Sequence, residues 1–220
     1  MHNLFLKHCC SPLKTGSLAA VLLLFALVAE AQTQQITLND LSAFRDPGKT
    51  WDIAGDVSAD LSENNVLETD KGEGVLVNQP TSRRKGKDLY TNFEHGDMDL
   101  ELEYMIAKGS NSGIYLQGMY EIQLLDSWGK KYPSSGDNGG IYQRWDDSKP
   151  DGEKGYQGYP PRQNVALAPG LWQKMKISFQ APRFDAQGNK VENARMLLVE
   201  LNGVAIHEDV ELLGPTRGAM

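Results

Sequence analysis

The sequence predicts an all-β fold, a single antiparallel β-sandwich with a jelly roll as its form. Three observations predict it. Short segments of alternating apolar and polar residues recur, punctuated by Gly, Pro, Asn and Asp. No segment beyond residue 31 has the spacing of an amphipathic helix. Asn202-Gly203 separates two alternating runs, the strongest short-range hairpin signal. Many short strands with regular turns favour a sandwich, and neither a linker nor a repeat divides the chain.

In chain order, the first element reads as a secretory signal over residues 1–31. Lys7 and Lys14 supply positive charge, residues 18–28 form an apolar run, and Ala29-Glu30-Ala31 fits small-x-small cleavage. The run is shorter than the roughly 20 residues a membrane-spanning helix needs. Cys9 and Cys10 precede it, so the expected mature domain, residues 32–220, has no disulfide and no thiol chemistry. No cysteine stands at the cleavage point to carry a lipid. The expected location is periplasmic or secreted, with no membrane attachment after cleavage. About 190 residues suffice for one core-stabilised domain.

The chain carries 22 Lys and Arg against 29 Asp and Glu, a net charge of −7. Without Lys7, Lys14 and Glu30 the balance is 20 against 28, or −8. An acidic domain with no basic aromatic stripe is not a nucleic-acid binder. The one basic cluster, Arg83-Arg84-Lys85-Gly86-Lys87, reads as a solvated loop.

The expected strands are 66–68, 74–77, 98–106, 113–117, 120–125, 172–180, 195–201 and 204–208. In 98–106, Met98, Leu100, Leu102 and Tyr104 alternate with acids that continue from Asp97 through Asp99, Glu101 and Glu103. Period two puts the acids on one exposed face, with a catalytic carboxylate ladder or a calcium site as the alternative. The run lacks the Glu-x-Asp-x-x-Glu arrangement of sandwich-fold β-glucanases. In 172–180, Met175, Ile177 and Phe179 oppose Lys174, Lys176 and Ser178, a half-buried strand. Residues 129–139 and 144–163 lack strand character, and loops of that length are uncommon unless functional. Trp128, Trp145, Tyr156 and Tyr159 lie in or beside them, suited either to sugar faces or to packing as lids.

Strands 113–117 and 120–125 form a hairpin whose register decides its chemistry. A two-residue loop would mix polar and apolar groups on both faces. A three-residue loop, Gly118-Met119-Tyr120, pairs Gln117 with Glu121 and Tyr115 with Gln123. Ile114, Leu116, Ile122 and Leu124 then enter the core, and burial of that face enforces the register. Gly118 can supply the positive φ. The opposite face collects Tyr115, Gln117, Glu121 and Gln123: one aromatic plane, two amides and one carboxylate. That inventory suits sugar hydroxyls, with a plain solvated sheet face as the alternative.

Other chemistries are weakly supported. His95 and His207 lie far apart and outside metal-ligand spacing. There is no Gly-x-Ser-x-Gly elbow and no phosphate loop. Residues 147–152 faintly resemble a calcium loop, but Lys149 stands where an oxygen ligand is needed. No cofactor is required by the sequence. A divalent cation held by Glu121 and backbone oxygens stays open.

Asn111-Ser112-Gly113-Ile114-Tyr115, followed by Tyr120-Glu121-Ile122-Gln123-Leu124-Leu125-Asp126-Ser127, resembles the signature of the 3-keto-disaccharide hydrolase domain family. Gly140-Ile141-Tyr142, Gly170-Leu171-Trp172, Ala181-Pro182-Arg183-Phe184-Asp185 and Leu201-Asn202-Gly203-Val204 fall where that family has corresponding segments. The resemblance spans residues 36–220. It implies a concanavalin-like sandwich with its site on the concave sheet, acting on glycosides that a separate dehydrogenase has oxidised at the 3-hydroxyl. A C3 ketone acidifies the C2 proton, so one base and donors for the enolate oxygen suffice for β-elimination of the C1 aglycone, with water added later. The paired carboxylates of ordinary glycosidases are not needed. On this reading Glu121 is the base or orients one, and Gln123, Gln117 and Tyr115 hold hydroxyls or the enolate. Asn111, Asp126, Tyr142 and Arg183 form the rim. Strict alternation would turn Asp126 toward the core unless the strand ends before it.

In the family, Gly214-Pro215-Thr216 leads into a loop and one more strand with His-Gly and Arg-Asn signatures. This chain stops at Met220, so the sequence is expected to be a fragment without that strand. Two other readings remain: a non-catalytic carbohydrate-binding module on the same sandwich, and a structural domain of a larger secreted assembly.

Overall fold

The computed structural model describes residues 33–220, of which Ile36–Met220 form one compact unit. The expected signal segment, residues 1–31 with Cys9 and Cys10, lies outside the described residues. The unit is all-β and antiparallel throughout its ladders. Its strands are β1 (Phe44–Arg45), β2 (Trp51–Ser58), β3 (Glu68–Asn78), β4 (Tyr90–Thr91), β5 (Met98–Tyr104), β6 (Asn111–Leu116) and β7 (Tyr120–Leu125). After them come β8 (Arg144–Trp145), β9 (Gly155–Tyr156), β10 (Gln173–Gln180), β11 (Arg183–Phe184), β12 (Lys190–Glu192), β13 (Ala194–Leu201) and β14 (Val204–Leu212).

One layer is a four-stranded sheet in the order β14-β13-β10-β5. Its inner face supplies Met175, Ile177, Phe179, Met196, Val199, Leu201 and Ile206, none more than 1% exposed. Facing them in the same core cluster are Leu116, Ile122, Leu124 and Ile141 from the β6–β7 hairpin and its neighbour. Full burial of a side chain of this size contributes about 1.5–3 kcal/mol, so this cluster fixes how the layers pack.

The outer face of the sheet carries the acids of β5. Lys176 pairs with Glu101 and Lys174 with Glu103, each at 2.8 Å and each directly across the β5–β10 ladder. The acidic alternation is a solvated sheet face, stabilised by cross-strand pairs worth a few tenths of a kcal/mol to about 1 each. Asn202 and Gly203 both have positive φ (53° and 80°), the type I′ geometry that their identity predicts.

The expected segments 66–68 and 74–77 belong to a single strand, β3, and its partner β2 is not foreshadowed by any alternation. The reason is a crossing of glycines. A Cβ on Gly55 would stand 2.8 Å from Lys71 O, and one on Gly72 would stand 2.7 Å from Gly55 Cα. The register slips between Ala54 and Asp56, which breaks the period-two pattern on both strands.

The two long connections are more ordered than their composition suggests. β8 pairs with β9 inside 144–163, and Ile141 bridges Ile122 on one side and Tyr159 on the other. Gly139 N donates to Gln123 O and Gln123 N to Gly140 O, both at 2.8 Å, so residues 139–142 continue the second layer beyond β7. Buried groups brace this segment. Asp137 accepts from Ser127, Lys130 and Ser134, and His207 Nε2 donates to Gly139 O at 2.8 Å.

Candidate functional site

The hairpin folds with its loop at Gln117-Gly118-Met119, one residue earlier than the expected loop. Gln117 and Gly118 both adopt positive φ (53° and 66°), and Met119 N donates to Leu116 O. The ladder therefore pairs Tyr115 with Glu121 and Gly113 with Gln123. This corrects the expected Tyr115–Gln123 and Gln117–Glu121 pairs. A shift of two in pairing preserves every face, so Tyr115, Glu121 and Gln123 still share one side and Ile122 and Leu124 the other. Gln117 alone leaves the set.

Gln117 instead makes a tie to His95. Its N–H donates to His95 Nε2 at 3.1 Å and its side-chain amide to His95 O at 2.9 Å. An Nε2 that accepts carries no proton. The ring is thus neutral with its proton on Nδ1, which donates to Gly96 O at 2.9 Å.

Glu121 is the centre of the polar face. It is 7% exposed, and Tyr115 Oη donates to its Oε2 at 2.6 Å. Room for the carboxylate comes from Gly113, where any Cβ would overlap Glu121 Oε1. A glycine inside a strand marks such a close approach. Burial raises the Glu121 carboxyl above its ordinary value of 4.5, opposed by the bond from Tyr115 and assisted by nearby Asp88. The Tyr115 hydroxyl is itself pushed well above its ordinary range by burial and by the adjacent carboxylate. Glu121 is therefore a stronger base than a solvated carboxylate, and Tyr115 stays a proton donor.

Two further segments close around this pair. Tyr142 N donates to Glu121 O at 3.0 Å, which puts Tyr142 beside Glu121 on the neighbouring strand. The next ladder bond is absent, and Thr216 replaces it: Glu121 N donates to Thr216 Oγ1 at 3.1 Å. The strap that carries Thr216 also bonds Met119 O through Thr216 N and Gln143 O through Arg217 N. Arg217 O lies 2.9 Å from Tyr115 Oη, a second acceptor for the single phenolic proton. Tyr115 is 36% exposed, so the pair stays open to solvent at its edge.

Gln123 is 5% exposed and donates to Asn111 Oδ1 at 2.9 Å, which fixes that amide on the same face. The structure thus brings together Tyr115, Glu121, Tyr142, Gln123 and Asn111. It does not bring Asp126 or Arg183 to them. β7 ends at Leu125, and Asp126 turns to accept from Gly109 N and Trp128 N. The Arg183 guanidinium is engaged by Asp97 at the end of the four-stranded sheet, at 2.5–2.8 Å. Thr216, Asp88 and His95 were not foreseen, because none carries a local pattern and each arrives from a distant segment. Gly113 did carry a signal, as a glycine at the head of an alternating run.

Among the described residues no three His, Cys, Asp or Glu side chains converge as a metal-binding group.

A protein-family model described as the 3-keto-alpha-glucoside-1,2-lyase-like domain matches residues 37–219. Among solved structures, a protein from Parabacteroides distasonis ATCC 8503, provisionally described as a glycosyl hydrolase, superimposes with a TM-score of 0.58 and 25% identity. The match covers 82% of this chain and 66% of that one, so the chain spans just under two thirds of its length. A search of curated proteins returned no match.

Proposed function

The chain belongs to the 3-keto-alpha-glucoside-1,2-lyase-like domain family, and on that premise we propose that it cleaves glycosides already oxidised at C3, with Glu121 as the base. The observation that carries the reading is the buried Glu121 carboxylate, held by Tyr115 over Gly113 on the polar face of the hairpin.

The C3 ketone makes the C2 proton acidic. Glu121 takes that proton, and the C2–H pair becomes the C1=C2 double bond as the C1–O bond breaks. The aglycone oxygen leaves with the electron pair and is protonated by the newly formed carboxylic acid or by water. Addition of water across C1=C2, here or on another enzyme, completes the net hydrolysis. The Gln123 amide donates to sugar or enolate oxygens, and the Tyr115 proton joins it once Glu121 is protonated and no longer needs that bond, a pre-set polar arrangement of the type that lowers such barriers by several kcal/mol. One base suffices for this route, which does not require the facing carboxylate pair of ordinary glycosidases.

The remaining parts of the reading are that a separate dehydrogenase supplies the keto substrate, and that the chain works outside the cytoplasm. The test is turnover of 3-keto-trehalose beside trehalose, with and without EDTA, by the wild type and by Glu121→Gln. Sugar release from the keto substrate alone, lost in Glu121→Gln with folding retained, supports the proposal. EDTA sensitivity adds a metal ion to it. Undiminished turnover by Glu121→Gln removes Glu121 from the mechanism. Binding of trehalose with cleavage of neither substrate favours a carbohydrate-binding module.

A further inference from the structure

Beside Glu121 lies a group of cations that stand on aromatic rings instead of on acids. On and beside the four-stranded sheet, several cations have carboxylate partners: Lys174 with Glu103, Lys176 with Glu101, Arg183 with Asp97, Arg195 with Asp209. Arg217 has none among the described residues. Its guanidinium carbon lies 3.7 Å from the centre of the Trp145 ring, while its carbonyl lies 2.9 Å from Tyr115 Oη at the heart of the site.

Arg144 is also without a carboxylate. Its guanidinium carbon stands 5.1 Å from the centre of the Tyr156 ring, and one Nη donates to Gln157 Oε1 at 2.8 Å. A Cβ on Gly214 would fall 2.7 Å from its Cζ, so this glycine admits the flat side of the group. Its Nε is buried with no acceptor. A half-buried guanidinium with an unused N–H is costly unless an anion completes it. The two acids that follow on the same segment are committed elsewhere. Asp147 accepts from Trp145 Nε1, and Asp146 from Ser148 while sharing its field with Lys149. Lys149 Nζ adds positive charge 4.2 Å from the centre of Tyr156.

The strap ties these groups to the catalytic pair. Arg217 N donates to Gln143 O, next to Arg144, and Thr216 Oγ1 receives Glu121 N. We propose that Arg144 and Arg217 form an anion subsite beside Glu121 and that the preferred leaving groups carry a carboxylate or phosphate. The inference rests on the keto-glycoside reading and narrows its substrate class. Fixed guanidinium planes with free N–H edges suit planar or tetrahedral oxyanions better than neutral hydroxyls.

The test compares two isosteric leaving groups, 4-carboxyphenyl and 4-carbamoylphenyl 3-keto-α-glucosides, with the whole chain. The carboxylate should show a KM about tenfold lower at low salt, the effect of one charge-assisted hydrogen bond. The KM ratio should collapse toward one in Arg144→Gln, recover in part in Arg144→Lys, and persist in the distant control Arg195→Gln. Added NaCl should raise KM for the carboxylate alone, a readout that holds even if Arg144→Gln fails to fold. Equal KM values in the wild type overturn the subsite, as does a preference that survives both Arg144→Gln and Arg217→Gln. If neither keto-glucoside is cleaved, the catalytic reading falls by itself. Calorimetry with the unoxidised pair then decides the subsite: tighter binding of the carboxylate upholds it, and equal binding overturns it.

Discussion

Gly113→Ala is the sharpest perturbation of the proposed base, because it adds one methyl group and alters no polar atom. Gly113 has no positive φ, so alanine fits the backbone of β6. The conflict is with one side chain only. The new Cβ would overlap Glu121 Oε1 and stand 2.9 Å from its Cδ and Cγ. Something must move, and the carboxylate is the freer partner. Overpacking of this kind costs about 1–3 kcal/mol. At about 2–4 °C per kcal/mol for a domain of this size, Tm should fall by several degrees. Displacement of the base by about 1 Å should lower kcat/KM on a 3-keto-glucoside on the order of 100-fold. A double-mutant cycle isolates the cause. In a Glu121→Ala background the same Gly113→Ala change meets no carboxylate and should be neutral, or stabilising by about 0.4–1 kcal/mol through the unfolded chain. Turnover by Gly113→Ala within threefold of wild type would refute the reasoning. So would an equal stability cost in both backgrounds.

Three further outcomes follow from the described geometry. Tyr115→Phe removes the hydrogen bond that lowers the Glu121 carboxyl, so the acid limb of kcat/KM against pH should move to higher pH; an unmoved limb would mean that Glu121 is not the group titrating. Asp137→Asn should cost about 2–4 kcal/mol at neutral pH by chemical denaturation, since a buried carboxylate that accepts from Lys130, Ser127 and Ser134 is replaced. Burial opposes the Asp137 charge but the bonds from Lys130 and Ser134 outweigh it, holding its carboxyl below the ordinary 3.8; its contribution is present above that value and is lost as pH falls through the lowered one. Glu101→Gln with Glu103→Gln should leave turnover unchanged and shift stability by no more than about 1 kcal/mol in total, as expected for exposed pairs; lost turnover would return the acidic face to the mechanism.

The polar face of the hairpin was legible because its parity is set by burial. Ile122 at 0% and Leu116 at 2% exposure cannot trade sides with Glu121. The register itself was not legible. Gly118 marked the turn, but Gln117 also takes a left-handed conformation there, steadied by both of its bonds to His95 across 22 positions. The β2 strand escaped notice because Gly55 and Gly72 are selected for close approach rather than for alternation. The braced segment 139–142 read as part of a loop region, since its ladder bonds come from β7 and its anchor from His207. Arg183 and Asp126 have the right chemistry for a rim but find Asp97 and the Gly109 and Trp128 amides instead. Local pattern determines faces and turns. Which distant group fills a gap in a ladder is settled only by packing.

Thr216 and Arg217 reach the Glu121–Tyr115 pair across 95 and 102 positions of sequence. The hairpin that bears the pair is local and can close early, whereas the strap follows β14 in the chain and docks on groups distant in sequence, the hairpin and Gln143. Structure and competence are therefore acquired at different times. A refolding chain should regain its strand signal and much of its core before it regains the enclosed carboxylate. Recovery of turnover would then report the final docking event rather than the collapse.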